Sequence, residues 1–518
     1  VYLVTAKEMR EIDRQTIEGI GIPDVVLMEN AGAKVAQMLM ERIGKRNQTK
    51  IIVLAGHGNN GGDGFVVARH LNNSGFAVET WLIGSLTKCS EESLVNYRAL
   101  INLGHKVKIW DINMDRELKD SISSADVIID ALLGTGIKGE LREPFKNIIQ
   151  FANRQDAYRV AVDIPTGVNS DTGQVVDIAF KAALTITFAL PKLGQLLYPG
   201  VEYVGELLIV DISIPPKVVE NFKLKKRMIT PGMIKEILPI RTEYSHKGTY
   251  GHALLIGGSK DMPGAPTLAA LAAMRSGAGL TTVVVPASIH SMVFGRVPEA
   301  ICMGLPEEST GHFSLKSIEQ LNLDDKKFTA LGVGPGVGTW DRGVEWLKLL
   351  IKSTTKPMVI DADGLNLLSL DLSLLGERNG TIVLTPHPGE MARLINKNIK
   401  YVEKNRVDVA LEFAQEHGVF VVLKGFNTII ATPDGEIYIN TTGGPELAKG
   451  GTGDVLTGMI TGFIAQRIPV KDAVIIAVYL HGLAGGFASY PSNYSTLATE
   501  VIDKIGKAIH YTMSNHAD

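Results

Sequence analysis

The chain has 518 residues, 45% of them apolar and 21% charged, with a formal net charge of −3. That length predicts two or more domains with sizeable cores, and a near-neutral balance without a basic stripe argues against nucleic acid as the main partner. Cys89 and Cys302 are too few for a disulfide framework or a zinc site, no apolar run approaches a membrane span, and Val1-Tyr2-Leu3-Val4-Thr5 is no secretion signal, so a cytoplasmic setting is expected.

Thr5-Ala6-Lys7-Glu8 reads as a capping box, followed by Met9, Ile12, Ile17 and Ile20 on one helical face. Gly21 and Pro23 end that helix, and a second is predicted over 24–43. Its apolar residues Met28, Val35, Met38 and Leu39 suggest a homo-oligomer. Strands are expected at 51–55, 76–83, 106–110, 127–130, 159–162, 184–189 and 206–211, separated by helices. Continuous apolar runs such as Ile51-Ile52-Val53-Leu54-Ala55 suit a parallel sheet covered on both faces, a Rossmann-like three-layer α/β/α sandwich.

Sites in such folds lie at the C-terminal ends of the strands. Three polar loops are expected there: Gly56 to Gly64, Asp130 with Gly134 to Glu140, and Asp163-Ile164-Pro165-Thr166-Gly167. Gly56-x-Gly58-x-x-Gly61 matches a dinucleotide fingerprint, with Glu79 about where a ribose-binding acid would fall. Asn59, Asn60 and Asp63, however, crowd the place of a pyrophosphate. Asn60, Asp130 and Thr166 are oxygen donors on adjacent strand ends, one charged and two neutral, which suits a monovalent cation at least as well as magnesium.

Asn59-Asn60-Gly61-Gly62-Asp63-Gly64 and, a hundred residues on, Val162-Asp163-Ile164-Pro165-Thr166-Gly167 resemble the NAD(P)H-hydrate epimerase family over residues 1–215. That family interconverts the R and S forms of NADH and NADPH hydrated at C6 of the nicotinamide ring, NADHX and NADPHX. The resemblance implies a potassium ion (K+) held by Asn60, Asp130 and Thr166, where serine is commoner at the last position. It implies substrate contacts from Asn59, Asn60, Gly61, Gly62 and Asp63, from Gly134, Thr135, Gly136, Ile137, Lys138, Gly139 and Glu140, and from Asp163. Asp163 is either an acid/base group at the hydrate carbon or a cap of the Pro-Thr-Gly turn.

A loosened stretch follows. Pro215-Pro216 ends the sheet, Lys223-Leu224-Lys225-Lys226-Arg227 reads as a solvated linker, and Thr230-Pro231 starts a helix. The first domain is placed at 1–215 and the second at 228–518. In the second, strands are expected at 252–256, 280–285, 330–332, 358–360, 381–384 and 420–423. A hairpin at 428–431 and 437–440 turns at Asp434-Gly435, and helices cover 455–465, 470–488 and 498–513. Polar loops again fall at strand ends: Gly257 to Pro266, Gly332 to Gly338, Asp361 to Asn366, Thr385 to Glu390 and Lys424 to Thr428.

Gly450-Gly451-Thr452-Gly453-Asp454 before an apolar helix makes an anion hole, with Thr452 as N-cap. A carboxylate at Asp454 would repel the anion unless it accepts a proton from an attacking hydroxyl. A parallel sheet, a late hairpin and this turn are how ribokinase-like phosphotransfer domains are arranged. Thr385-Pro386-His387-Pro388-Gly389-Glu390, Leu423-Lys424-Gly425 and Gly450 to Asp454, in that order, resemble the ADP- or ATP-dependent NAD(P)H-hydrate dehydratases of the ribokinase-like superfamily over about 228–512.

This second resemblance implies hydrate contacts from Ala265, Gly336, His387 and Asp454. It implies an ADP site from Lys424, Gly425, Phe426, Asn427 and Thr428 with Glu446, Leu447, Ala448, Lys449, Gly450, Gly451, Thr452 and Gly453, with magnesium (Mg2+) accompanying ADP or ATP. Asp454 and Asp163 are the expected catalytic groups of a bifunctional repair enzyme, an isomerase fused to a lyase. Three other readings stand beside it: a small-molecule kinase in the second half, a non-catalytic binding module in the first, and a nicotinamide oxidoreductase.

Overall fold

Residues 1–44, 49–136, 139–323 and 326–514 are described by a computed structural model. They form two compact units, Val1–Leu224 and Lys225–Asp518.

In the first unit, helix α1 (Ala6–Arg14) begins at the expected capping box, with Thr5 N–H donating to the Glu8 carboxylate at 2.7 Å. Periodicity predicts one helix through Ile20, but the last turn, Gln15–Ile20, is π-helical and ends on Gly21 at φ 88°. Helix α2 (Asp24–Ile43) has the expected bounds. Its Met28, Val35 and Leu39 are buried in this unit's own core, and Met38 packs against that core, so the face read as an association surface is interior.

Seven parallel strands follow: β1 (Lys50–Ala55), β2 (Ala77–Leu82), β3 (Val107–Ile109), β4 (Val127–Ala131), β5 (Tyr158–Val162), β6 (Leu184–Phe188) and β7 (Glu206–Val210). They lie in the order β3-β2-β1-β4-β5-β6-β7. The order in which successive strands are added reverses between β1 and β4, and the crevice at such a switch point is where a doubly wound sheet places its ligand.

The second unit carries β8 (Lys226–Met228), β9 (His252–Ile256), β10 (Leu280–Pro286), β11 (Ile301–Leu305), β12 (Ala330–Val333), β13 (Met358–Ile360), β14 (Ile382–Leu384), β15 (Phe420–Leu423), β16 (Ile429–Ala431) and β17 (Ile437–Ile439). Their order is β11-β10-β9-β12-β13-β14-β15-β16-β17-β8, parallel except where β16 pairs with β15 and β17. This is the parallel sheet with a late hairpin that the motif order implied.

Two strands were not legible. β8 lies in the basic run read as linker and pairs with β17, so the second unit begins there. Both β8 and β11 are sheet edges, and β11 has an exposed Ile301 and a glycine, which dilutes the apolar run.

Helix Val470–Ala488 is long and apolar enough to cross a membrane by length and composition, contrary to the sequence reading. In the fold 67% of it is buried, as a core helix beside Thr452–Ala465 and Ala498–Ser514.

Helix Thr452–Ala465 is held close to Gly264–Arg275 through glycines: a Cβ on Gly458 would stand 2.1 Å from Ala269 O, and one on Gly462 2.7 Å from Ala273 O. The obstacle is backbone, so Gly458→Ala must push the helices apart. It is expected to destabilise the second unit by about 1–3 kcal/mol, read as a lower urea midpoint. An unchanged midpoint would mean the seam is looser than described.

Two candidate active sites

The first site is a cavity of about 640 Å³ at the C-terminal edge of the N-terminal sheet, within the range of small-molecule pockets. Its floor is His57 to Asn60 with Asp63, Leu132 to Gly136, and Asp163; α1 and α2 supply a wall that includes Asp13 and Asp24.

The predicted glycine loop is shorter than expected, because α3 (Asn59–Asn73) already starts at Asn59. Cβ atoms on Gly56 and Gly61 would lie 1.8 Å from Leu132 O and 1.9 Å from Gly56 O. These glycines therefore let α3 pack onto the strand ends. Glu79 is engaged elsewhere, its Oε1 accepting from Trp81, Lys108 and Ser121 at 2.7 Å each. The dinucleotide fingerprint thus lacks its ribose acid.

The predicted cation donors converge on one loop. Thr166 donates to Asp130 through both Oγ1 and N, at 2.8 Å each, and Leu133 N donates to Thr166 Oγ1 at 3.0 Å. Asn60 packs against Gly134, and its buried Oδ1 and Nδ2 have no partner among the described residues. Burial pushes the Asp130 carboxyl up to about 6, partly offset by its hydrogen bonds from Thr166. An orphaned amide oxygen beside a buried carboxylate and a hydroxyl is a donor set that a cation would complete.

Asp163 follows β5 with a left-handed φ of 64°, a strained conformation for a residue with a side chain. Its Oδ1 accepts from Thr187 Oγ1 at 3.0 Å, Phe188 N at 3.2 Å and the Lys192 ammonium. Lys192 is 1% exposed and also donates to Thr187 Oγ1 at 3.1 Å and Phe188 O at 3.3 Å. Of the predicted contacts, Gly134, Thr135 and Gly136 line the cavity, Gly139 and Glu140 are exposed and do not, and Ile137 and Lys138 lie outside the described residues.

The second site lies at the C-terminal edge of the other sheet. Lys424, at the end of β15, points its ammonium at Asp361 Oδ1, 2.7 Å away, with Glu390 Oε2 at 3.9 Å. Asp361 Oδ2 accepts from Thr457 on helix Thr452–Ala465 at 2.7 Å. A Cβ on Gly453 would stand 3.4 Å from Lys424 Nζ. His387 caps the helix Pro388–Leu394, its Nδ1 accepting from Gly389 N at 2.9 Å, while its own N–H donates to Glu390 Oε2 at 2.7 Å. Gly336 stands against Ala265, the two Cβ positions 3.1 Å apart, and Asp363 accepts from Gly338 N at 3.0 Å, steadying the Gly332–Gly338 loop.

The helix cap differs from expectation. Gly451, at φ 91°, is the N-cap, and Thr452 is the first helical residue, its hydroxyl directed at Leu447 O and Lys449 O at 2.8 Å each. Val455 N is the first amide bonded within the helix; those of Thr452, Gly453 and Asp454 find no acceptor among the described residues. They are ready-made anion donors.

Burial pushes the Asp454 carboxyl up to about 7, Asp361 raising it further and Lys424 lowering it. Glu390 is likewise pushed up to about 7 by burial. His481, buried under Thr452, is driven down to about 4 by burial and stays neutral. Of the predicted nucleotide residues, Phe426 is exposed, Glu446 is buried and accepts from Gly444 N at 2.7 Å, and Lys449 donates to Tyr494 O.

Sequence reasoning missed Asp13, Asp24 and Lys192 in the first site and Thr457, Arg406 and His481 in the second. A signal existed for Lys192, which follows the end of β6 in Pro191-Lys192-Leu193-Gly194. Arg406 is a buried guanidinium that donates to the carbonyls of Leu423 and Lys424. Nothing marked it in an amphipathic helix.

Known proteins match both units. Residues 24–194 match the family model described as YjeF-related protein N-terminus, and residues 253–507 the one described as NAD(P)H-hydrate dehydratase. The chain is 38% identical over 491 residues to the bifunctional NAD(P)H-hydrate repair enzyme Nnr of Moorella thermoacetica, covering 94% of this chain and 93% of that protein. It is 38% identical over 482 residues to the same-named enzyme of Thermofilum pendens, covering 93% and 91%. Among solved structures, the ADP/ATP-dependent NAD(P)H-hydrate dehydratase from Bacillus subtilis, co-crystallised with ATP and Mg2+, is 34% identical with a TM-score of 0.49, covering 55% of this chain and 98% of that one.

Two α/β units, each with polar side chains gathered at its sheet's C-terminal edge, define a two-domain enzyme. The chain belongs to the family of bifunctional NAD(P)H-hydrate repair enzymes.

Proposed function

We propose that this chain repairs hydrated NADH and NADPH, the first unit interconverting the R and S hydrates and the second dehydrating the S form with ADP, leaving AMP and phosphate. The observation that carries the reading is Asp454: a half-buried carboxyl with its pKa pushed up to about 7, beside Lys424, at the head of a helix whose first amides find no acceptor among the described residues.

Hydroxide leaves carbon poorly and phosphate leaves well. Asp454 takes the hydroxyl proton as the hydrate oxygen attacks the terminal phosphorus of ADP, and the amides of Thr452 and Gly453 receive the developing charge. The ring nitrogen's lone pair then expels phosphate, and loss of a C5 proton restores the dihydropyridine. Lys424, fixed by Asp361, keeps a positive charge beside these groups. Magnesium bound with the nucleotide would neutralise its phosphates, and Glu390, at the same sheet edge as Lys424, is the carboxyl proposed to hold it.

Phosphorus NMR of S hydrate with ADP and magnesium tests this reading. AMP and free phosphate are expected; a stable phosphoester would instead favour the small-molecule kinase.

In the first unit, Asn60, Asp130 and Thr166 would hold potassium, supported by the orphaned Asn60 side chain. Epimerisation should fall when potassium chloride is replaced by tetramethylammonium chloride, and Asn60→Leu should remove that salt difference while leaving dehydration of the S form unchanged. Equal epimerisation in both salts would sink the cation assignment.

A further inference from the structure

The first cavity contains a carboxylate with no role so far, Asp13 on α1. Backbone bonds fix its place. Val4 N donates to Pro191 O at 3.1 Å and Leu193 N to Val4 O at 2.9 Å, so the chain entering α1 is paired with the segment that carries Lys192. Ala6 N, the first of the helix, donates to Asp171 Oδ1 at 2.6 Å. Asp13 therefore reaches the cavity on a helix anchored at its N-terminus, and its carboxyl has no hydrogen-bond partner among the described residues.

Asp163 is its counterpart. All three of its side-chain donors converge on Oδ1, which leaves Oδ2 without a partner among the described residues. The ammonium of Lys192 is directed at Asp163, Thr187 and Phe188, so it fixes charge and orientation and has no proton left to aim at a substrate. Two carboxyl groups with free oxygens thus line one cavity from different walls, one on α1 and one at the sheet edge.

We propose that Asp13 is the second proton-transfer residue of the epimerase site, paired with Asp163 across the hydrate carbon. This inference rests on the epimerase reading. A carbon that inverts by losing and regaining a hydroxyl needs proton donation on one face and proton acceptance on the other. Protonated Asp13 gives its proton to the C6 hydroxyl as the C6–O bond breaks. The nitrogen lone pair forms the N1=C6 bond, and a water molecule departs.

A water then adds to the opposite face. Its oxygen forms the new C6–O bond, the N1=C6 electron pair returns to nitrogen, and Asp163 Oδ2 takes the surplus proton. Cavity water carries that proton back to Asp13. One water leaves and one enters, and nothing is oxidised or reduced. The reverse reaction exchanges the two roles.

The surroundings suit this exchange. Asp24 on α2, Asp63 on α3, and Asp163 and Lys192 at the sheet edge line the same cavity, as do Arg10, Arg14 and Glu18 on the helical run of Asp13 and His57 after β1. Burial pushes Asp13 up to about 6, with Lys192 drawing it down and Asp163 and Asp24 pushing it up. Asp63 is more deeply buried, and that burial holds its carboxyl well above the usual carboxylate range, with Asp163 pushing the same way.

The test starts from pure S hydrate without ADP and follows appearance of the R form by chromatography, using the full chain. Asp13→Asn should slow interconversion by at least roughly 100-fold with little change in KM, and should abolish the inflection near pH 6 in the wild-type rate profile. Asp13→Glu should retain part of the rate and a shifted inflection. Near-ultraviolet circular dichroism and thermal unfolding of each variant show whether the first unit is folded.

Wild-type interconversion by Asp13→Asn, or a slowed variant that keeps the inflection, would overturn the inference alone. Absence of interconversion by the wild-type chain would overturn the epimerase reading itself. An unfolded Asp13→Asn protein leaves Asp13→Glu to decide: an inflection unmoved from wild type counts against Asp13.

Discussion

Asp454→Asn is expected to lower ADP-dependent dehydration of the S hydrate by roughly 10²–10⁴-fold, the range of a lost general base, while R/S interconversion in the first unit is untouched. The wild-type rate should fall as pH drops below about 7, because Asp454 must be ionised to accept the proton and its burial places its pKa there. Asp454→Asn should show no such limb.

The same shift predicts a stability effect of known sign. A carboxyl whose pKa is raised by folding favours the folded state below its unfolded value, and that contribution is lost as pH rises through the folded value. The neutral asparagine avoids this loss. Asp454→Asn should therefore gain stability relative to wild type, with the gain growing between about pH 4 and pH 7 and then levelling. A variant equally stable at all pH values would mean that Asp454 is better solvated than the fold indicates.

Lys192→Met should disable the first unit by a different route. It leaves the Asp163 carboxylate, whose side chain is 13% exposed, without its buried cation. Breaking one partner of such a pair costs about 3–5 kcal/mol, measurable by denaturant unfolding. Epimerisation should fall with it. Lys192→Met combined with Asp163→Asn should recover much of the stability, because no buried charge is then left alone, yet recover none of the interconversion. Recovery of activity in the double variant would remove Asp163 from the chemistry.

Much of this architecture was legible in the residues. The strands of the first sheet are runs such as Ile51 to Ala55 and Val127 to Ile129, buried on both faces, and so announce themselves without alternation. The motifs led to Asp163, Lys424 and Asp454 because function gathers at strand ends. β8 and β11 escaped because an edge strand buries little and its pattern is diluted.

The side chains that complete the sites were hidden for another reason. Asp13 lies on the polar face of an amphipathic helix, where an acid reads as solvated, and long-range contacts, Val4 with Lys192 and Ala6 with Asp171, turn that face into a cavity wall. Thr457 reads as one more small residue in an apolar helix until Asp361, 96 positions away, accepts its hydroxyl. Long-range pairings of this kind leave no mark in local periodicity.

The most direct test of the account is a progress curve: dihydronicotinamide absorbance recovered from an R/S mixture of NADH hydrate with ADP, magnesium and potassium. The wild-type chain is predicted to restore the whole mixture, Asp454→Asn almost none, and Asp163→Asn a fast phase equal to the S fraction followed by a slow remainder. Absorbance that fails to return with either ADP or ATP, or an Asp454→Asn protein as active as wild type, would contradict it.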